Sequence, residues 1–246
     1  MILSIIIPCY NQERNIPLII ERLIQCVGDR DDIEIILVNN GSMDNSESVL
    51  KSEISKSGKN YFVVSTVERN QGYGFGILKG LNDAKGNVLS WTHADMQTDP
   101  DDVIKAYEQY ISYNDQVFLK GKRKSRPLAE IFFTFGMQIA VWIVLGTYLD
   151  DINAQPKMFS REFYEKYIKE NAPFDFSLDL FAMYCAKKNG YRIICFPVYF
   201  SKRLHGEAKG GGGSWKNRLN LIKRTFMYVF ALKKKIFEVE KNKLKE

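Results

Sequence analysis

Residues 3–16 read LSIIIPCYNQERNI, an apolar run that stops at a proline and changes into a polar cluster. Such a run favours a strand buried on both faces, and a helical pattern follows it near 15–27. The alternation recurs with EIILVN at 34–39 before a helix near 44–57, YFVVSTV at 61–67 before 74–85, and NVLSWTH at 87–93 before 100–113. This rhythm predicts an α/β fold with a mostly parallel sheet and helices on both faces.

A polar cluster follows each of the four predicted strands. The clusters are PCYNQE at 8–13, NNGSMD at 39–44, ERNQGYG at 68–74 and HADMQTD at 93–99. Parallel sheets bind ligands beyond the carboxyl ends of their strands, where the strand order reverses. We therefore expect the four clusters to meet at one edge of the sheet and to form a ligand site.

Composition excludes several classes of protein. The chain has 246 residues, of which 45% are apolar and 26% charged, so disordered and collagen-like classes do not fit and one compact unit is expected. The four cysteines lack metal-ligand spacing, which favours reduced thiols in the cytoplasm. The first residues lead straight into a predicted strand, and we expect no export signal.

The positive charge is concentrated in residues 215–246, which hold ten Lys or Arg against three Glu, whereas the whole chain carries +6. Apolar residues with helical spacing make this segment amphipathic if it is helical: Leu219, Ile222, Phe226, Val229, Phe230 and Phe237. A basic amphipathic helix favours an anionic membrane surface over nucleic acid. The alternative is a helix that packs on the core of the protein.

Residues 131–149 contain no charged side chain. This length is close to the roughly 20 residues that cross a bilayer, but a span would place parts of one sheet on opposite sides of the membrane. Two interpretations remain, a buried core helix and a helix lying in the membrane interface. The glycine run in 205–214 predicts a mobile loop between the body and the basic segment.

The cluster HADMQTDP at 93–100 offers two oxygen ligands, Asp95 and Gln97. At positions i and i+2 of an extended segment they point the same way, which suits a hard divalent cation that also binds a diphosphate. The alternative is an ordinary turn in which Asp99 caps the next helix.

In order and spacing, these segments resemble the family 2 glycosyltransferases with the GT-A fold. The likeness includes SIIIPCYNQERNI, ILVNNGSMD, NQGYGFGILKGLNDAKG and HADMQTDP, and extends from residue 2 to about 209. It is greatest to the branch of polyprenyl-phosphate (dolichyl-phosphate-type) sugar transferases. The resemblance implies a GT-A catalytic domain over 1–204 with an apolar helix at 128–149, a Gly-rich loop at 205–214 and a C-terminal helix at 215–246.

The resemblance also implies a donor site. Asp95 and Gln97 are expected to bind Mg²⁺ or Mn²⁺. The residues expected at the nucleotide-sugar are Pro8, Tyr10, Gln12, Asn39, Asn40, Gly72, His93, Ala94, Asp95 and Lys209. Asn39, Asn40 and His93 stand where the family usually has acidic residues, which leaves the choice of nucleotide open.

For the acceptor, the resemblance implies Arg123 and Arg126 in GKRKSRP, and Asp151 and Gln155 in LDDINAQPKMFS. In the latter segment Asn153 and Lys157 are expected to alternate with them on a strand. Asp179 is expected to act as a base on a hydroxyl acceptor or to position a phosphate acceptor, and Asp175, one helical turn away, is the alternative carboxylate. Arg203 is expected to bind the leaving diphosphate. The resemblance thus implies three catalytic residues, which are Asp95, Asp179 and Arg203.

The implied activity is inverting, metal-dependent transfer of a hexose from UDP- or GDP-hexose to a polyprenyl-phosphate acceptor. The protein is then expected to be cytoplasmic and peripheral on the inner face of the cell membrane. Two alternatives remain: transfer to a sugar hydroxyl of a surface glycan or glycolipid, and a non-catalytic nucleotide-sugar-binding subunit.

Overall fold

The computed structural model describes residues 2–113, 116–124, 128–201, 203–206, 219–220, 223–224 and 226–234. Contacts divide the chain into two compact units, whereas its composition and length predict one. The first contains residues 1–125 and 153–206, and the second contains 126–152 and 207–246.

The first unit contains seven strands and six α-helices among its described residues. They are β1 Leu3–Cys9, α1 Ile16–Val27, β2 Ile33–Asn40, α2 Ser46–Ser57, β3 Phe62–Val67, α3 Tyr73–Asp83, β4 Val88–Trp91, α4 Asp101–Tyr110, β5 Val117–Lys124, β6 Lys157–Ser160, α6 Arg161–Phe163, α7 Leu178–Lys188 and β7 Arg192–Tyr199. Helix α5, Leu128–Leu145, lies in the second unit. A π-helical turn, Tyr164–Ile168, follows α6.

The seven strands form one sheet in the order β3-β2-β1-β4-β6-β5-β7. Strand β6 pairs antiparallel with both of its neighbours, and the other recorded pairings are parallel. Strands β2 and β3 are added successively on one side of β1, and the chain then crosses to the other side of β1 to form β4. The mostly parallel sheet is therefore confirmed, and the strand order reverses between β1 and β4, where such sheets bind ligands.

The core explains why these segments are strands and helices. Every residue of β1 except Pro8 is buried, as expected for a central strand covered on both faces. Helix α1 buries Ile16, Ile19, Ile20, Leu23 and Val27, whose spacing of three or four residues places them on one face. The predicted helix following each of the first four strands is present, with ends that differ from the prediction by at most three residues.

Helix α5 in the second unit buries Gln138 and Val141 but exposes Phe135, Trp142 and Ile143. One side of the helix is thus packed and another is apolar and exposed. No helix within the described residues is long and apolar enough to cross a membrane.

The predicted helix over 215–246 is not confirmed. Its described parts, 219–220, 223–224 and 226–234, are helical. Val229 and Leu232 are buried, whereas Leu219 and Phe230 from the predicted apolar face are exposed. The other residues of this segment, and 207–214 of the predicted loop, lie outside the described residues.

Candidate functional site

Asp95 and Gln97 follow β4 and bind the same arginine. Arg203 Nη2 donates to Asp95 Oδ2 at 2.6 Å and to Gln97 Oε1 at 3.0 Å. The other carboxylate oxygen, Asp95 Oδ1, accepts from the Gln97 backbone N–H at 3.1 Å. Three residues of the predicted site, from two distant segments of sequence, therefore meet at the carboxyl edge of the sheet beside β1.

The backbone between the two predicted ligands is not extended, so that part of the sequence interpretation is wrong. Strand β4 ends at Trp91, and Met96 has a φ of 57°, in the left-handed region. The chain therefore turns between Asp95 and Gln97. Their side chains converge because of this turn and their common bond to Arg203, and not because of strand alternation.

The donor set fits a divalent cation. A carboxylate oxygen and an amide oxygen already converge on one positively charged nitrogen, and oxygen ligands of this kind are those that Mg²⁺ and Mn²⁺ prefer. Within the described residues no group of three or more His, Cys, Asp or Glu side chains is suited to hold a metal ion. Mg²⁺ in proteins commonly keeps several waters and binds substrate phosphates beside one or two carboxylates, and an ion at Asp95 and Gln97 would fit that pattern.

Asn39 and Asn40, at the end of β2, are buried and bind groups at the starts of α2 and α3. Asn39 Nδ2 donates to Glu47 Oε2 at 3.3 Å, and Asn40 Nδ2 donates to the Gly72 carbonyl at 3.0 Å. A carboxylate has no hydrogen to donate to either oxygen. The structure thus gives a reason for amides at both positions, because each supplies a hydrogen to an oxygen acceptor.

The loop after β1 is tied to the loop after β2. Gln12 N–H donates to Ser46 Oγ at 2.7 Å, and Asn11 N–H donates to Ser42 Oγ at 3.1 Å. Pro8 and Tyr10 are half-buried at this end of β1. These loops therefore lie side by side, as the sequence predicts, with Pro8, Tyr10 and Gln12 next to the β1–β4 reversal.

The glycines at the start of α3 allow backbone contact with the loop before α7. A Cβ at Gly72, which has a φ of 121°, would lie 2.3 Å from the Phe174 carbonyl oxygen, and one at Gly74 would lie 2.5 Å from that of Pro173. Phe75 N–H donates to the same Phe174 oxygen at 3.0 Å. These glycines bring α3 to the segment that carries Asp179.

Asp179, in the first turn of α7, is buried among hydrogen-bond donors. Its Oδ1 accepts from Gln155 Nε2 at 2.8 Å and Trp91 Nε1 at 3.3 Å, and Lys157 Nζ lies 3.4 Å away. The side chains of Lys157 and Asp179 are 0% and 3% exposed. One carboxylate oxygen is therefore surrounded by three hydrogen-bond or charge partners from β4, β6 and the segment before β6.

Tyr73, which the sequence interpretation missed, is near enough to Asp95 and Asp179 to feel the charges of both carboxylates. Its ring stacks on Phe176 with centroids 4.8 Å apart, and its hydroxyl accepts from Gln155 Nε2 at 3.1 Å. Burial raises the pKa of Tyr73, and the charges of Asp179 and Asp95 raise it further. Tyr73 lies between two glycines in the sequence, which could have indicated a functional side chain. The sequence interpretation considered only the glycines of this stretch.

The remaining predicted residues have the following positions. His93 is half-buried, with its ring centroid 5.8 Å from that of Tyr73, and Ala94 is buried. Arg123 lies near the end of β5 over the Phe200 ring, 5.4 Å from its centroid. Asp151 is buried and belongs to the second unit. Arg126 and Lys209 lie outside the described residues.

Two expectations for the acceptor side are wrong. Residues 151–155 form turns before β6 rather than a strand, so Asp151, Asn153 and Gln155 do not alternate along one. Asp175 precedes α7, and its Oδ1 accepts from Ser177 N–H at 2.8 Å. It therefore does not share a helical face with Asp179.

A family model described as "Glycosyl transferase family 2" matches residues 4–168. A similar protein is the undecaprenyl-phosphate 4-deoxy-4-formamido-L-arabinose transferase of Photorhabdus laumondii, 33% identical over 43% of this chain and 34% of its own length. A protein of that name from Pseudomonas fluorescens is 26% identical over 84% of this chain and 59% of its own length. The chain thus spans about a third of the first relative and about three fifths of the second.

Solved structures share the fold. Glucosyl-3-phosphoglycerate synthase from Mycobacterium tuberculosis, in complex with Mn²⁺, UDP and glucosyl-3-phosphoglycerate, gives a TM-score of 0.70 at 15% identity, covering 94% of this chain and 79% of that one. A mannosyltransferase from Pyrobaculum calidifontis with GDP-Man and Mn²⁺ gives 0.62 at 16% identity, covering 83% and 58%.

Proposed function

The chain belongs to glycosyl transferase family 2 and is a glycosyltransferase, and from this we propose that it transfers a hexose from UDP- or GDP-hexose to a polyprenyl phosphate. The relatives are named as undecaprenyl-phosphate sugar transferases, which supports a polyprenyl phosphate as the acceptor. The complexes of the structural neighbours support a nucleoside diphosphate donor with a divalent ion.

One observation carries the proposal: Asp95 and Gln97 present oxygens to a single positive group beside the β1–β4 reversal. In the proposed reaction these residues hold Mg²⁺ or Mn²⁺, which supplies positive charge to the leaving diphosphate. Pro8 and Tyr10 contact the base, and Asn39, Asn40 and Gly72 shape the loops around the nucleotide. Arg203 and Lys209 bind the diphosphate as it leaves.

The proposed transfer is a single displacement that inverts the anomeric carbon. A phosphate oxygen of the acceptor forms a bond to this carbon while the bond to the donor diphosphate breaks. The acceptor phosphate is already an anion, so no proton has to be removed. Asp179, which has three donors around one oxygen, then positions its neighbours Gln155 and Tyr73 rather than acting as a base.

The proposed location is the inner face of the cell membrane. The exposed apolar side of α5, which includes Trp142 and Ile143, suits the interface of a bilayer. The excess of basic residues in 215–246 suits its anionic headgroups. Both features support a peripheral protein that meets a lipid-linked acceptor, and Arg123 and Arg126 are proposed to bind its phosphate.

Product analysis with paired substrates tests the proposal. The purified protein is incubated with UDP- and GDP-hexoses and undecaprenyl phosphate, with Mn²⁺ or with EDTA. We expect a lipid-linked hexose that depends on Mn²⁺, and we expect Asp95→Asn to abolish it. Asp99→Asn is the matched control. Asp99 is an exposed residue that pairs with Arg22, so its substitution should leave transfer unchanged.

Other results identify the alternatives. Transfer to a glycan hydroxyl but not to the lipid phosphate would replace the proposed acceptor. Binding of the nucleotide-sugar without turnover of any donor would contradict the catalytic proposal and favour a binding subunit.

A further inference from the structure

Arg203 occupies the oxygen atoms that the proposed metal site needs. Its Nη2 contacts Asp95 Oδ2 and Gln97 Oε1, at 2.6 and 3.0 Å. Asp95 Oδ1 already accepts from the Gln97 backbone, and Gln97 Nε2 donates to the Ser201 carbonyl at 3.2 Å. Each oxygen of the two proposed ligands thus has a donor from the protein itself.

Arg203 is held in this place by its own segment of chain. Ser201 N–H donates to the Gln97 carbonyl at 2.8 Å, on one side of Arg203. On the other side, Asn15 Nδ2 donates to the His205 carbonyl at 3.3 Å. The side chains of Arg203 and Asp95 are only 20% and 11% exposed. The contact is therefore a partly buried, charge-assisted pair, which is stronger than an exposed one.

A divalent ion and this guanidinium compete for the same two oxygens. Both are cations, and both require the lone pairs of Asp95 and Gln97. Two positive charges at one carboxylate repel each other strongly where solvent access is limited. A metal ion that arrives alone must displace Arg203 and offers it no other anion.

A diphosphate changes this balance. It brings negative oxygens that match the planar fork of the guanidinium, so Arg203 can exchange one anion for another as the ion binds Asp95. The cost of separating Arg203 from Asp95 is then offset in the same step. Metal and nucleotide therefore favour each other's binding through this side chain.

We infer that Arg203 closes the metal site of the nucleotide-free protein, and that the donor is therefore accepted as the metal complex of the nucleoside diphosphate-sugar. The inference rests on the proposed function, in which Asp95 and Gln97 hold the metal. It adds an order of binding: the protein does not first take up free metal.

Electron paramagnetic resonance titration of Mn²⁺ measures the predicted exclusion directly. The full chain is titrated with Mn²⁺ alone and with Mn²⁺ plus UDP, as wild type, Arg203→Met and Arg203→Lys. We expect Arg203→Met to bind Mn²⁺ alone about tenfold more tightly than wild type, because a charged hydrogen bond no longer competes. Arg203→Lys, which keeps the positive charge, should bind Mn²⁺ alone as weakly as wild type. UDP should increase Mn²⁺ affinity more in wild type than in Arg203→Met.

The matched control is Arg22→Met, which removes an arginine from Asp99 in the same loop. It should leave Mn²⁺ binding unchanged. Equal affinity of wild type and Arg203→Met for Mn²⁺ alone would overturn the inference but leave the metal site intact. If Asp95→Asn does not weaken Mn²⁺ binding in the Arg203→Met background, the proposed metal site itself is wrong and the inference falls with it.

Discussion

At some positions in this protein, the hydrogen bonds that a side chain donates explain why that residue type is present. Asn40 stands where the family usually has an acid, and its amide donates to the Gly72 carbonyl that begins α3. Lys157 and Asp179 form a pair with almost no exposure to solvent. In both cases a change of one functional group affects several elements, since each bond joins a strand to a distant segment.

We predict that Asn40→Asp destabilises the fold. The carboxylate cannot donate to Gly72, and it adds a buried charge beside a carbonyl oxygen. Loss of a buried donor costs about 1–3 kcal/mol, which urea unfolding measures. Asn60→Asp, at an exposed position, is the control and should leave the free energy of unfolding unchanged. Equal stability of the two variants would contradict the role given to the amide.

Lys157→Met should be more damaging than Asn40→Asp. It leaves the Asp179 carboxylate buried with only neutral donors, and removal of one partner of a buried ion pair costs about 3–5 kcal/mol. Lys79→Met is the comparison, because Lys79 pairs with Asp83 with side chains 37% and 26% exposed. That pair should contribute at most about 1 kcal/mol. If urea unfolding shows that Lys157→Met and Lys79→Met lower the free energy of unfolding by similar amounts, burial does not make the first ion pair more important than the second.

At the scale of elements, the order and type of the first eight strands and helices follow from the sequence, because apolar runs of a buried sheet alternate with one-sided helical patterns. The meeting of the strand-end loops also follows, because parallel strands end at one edge. The turn at Met96, the position of Tyr73 and the donors around Asp179 do not follow. These depend on tertiary contacts between α3, β4, β6 and α7, which leave no periodic signal in the sequence.

Gly74→Ala tests the approach of α3 to the loop before α7. Alanine is normally the better helix former by about 1 kcal/mol, yet its Cβ would lie 2.5 Å from the Pro173 carbonyl oxygen and 2.8 Å from that of Asp175. We therefore expect a lower melting temperature. Gly136→Ala in α5, where a Cβ meets nothing within 4 Å, should instead raise it or leave it unchanged. A higher melting temperature for Gly74→Ala would mean that the two segments separate easily.

The first turn of α4 should make stability depend on pH. Burial, and then the charge of Asp99, raises the pKa of Asp102 to about 6, above its ordinary value of 3.8. Between these two values the folded state binds more protons at this residue than the unfolded state does, so its contribution to stability falls as pH rises from about 4 to 6. Asp102→Asn should flatten this part of the curve of unfolding free energy against pH. An unchanged curve would contradict the raised pKa.

At the scale of the whole molecule, two kinds of surface need different partners. The carboxyl edge of the sheet is polar and suits a charged nucleotide, whereas α5 exposes large apolar side chains without charges among them. Composition averages over both, and the 45% apolar content therefore does not reveal where the exposed apolar side chains lie.

We predict that Trp142→Ser combined with Ile143→Ser weakens binding to vesicles. The two side chains are 55% and 71% exposed, and loss of their burial in a bilayer should lower partitioning about tenfold. Co-sedimentation with phosphatidylglycerol vesicles measures the change. Ile111→Ser, an exposed apolar residue of the first unit, is the control and should have no effect. Unchanged sedimentation of the double variant would remove α5 from the proposed membrane contact.

The connection between β5 and β6 has an evolutionary consequence. The two strands are direct neighbours, with Leu119 opposite Met158 and Lys120 opposite Lys157, and the stretch containing α5 starts from one and returns to the other. Because the two ends of this connecting segment are neighbours in the sheet, the segment can be lengthened, shortened or exchanged without a change in the register of β5 and β6. Variants of this scaffold can thereby differ in the segment between these two strands while the pairing of Leu119 with Met158 and of Lys120 with Lys157 is retained.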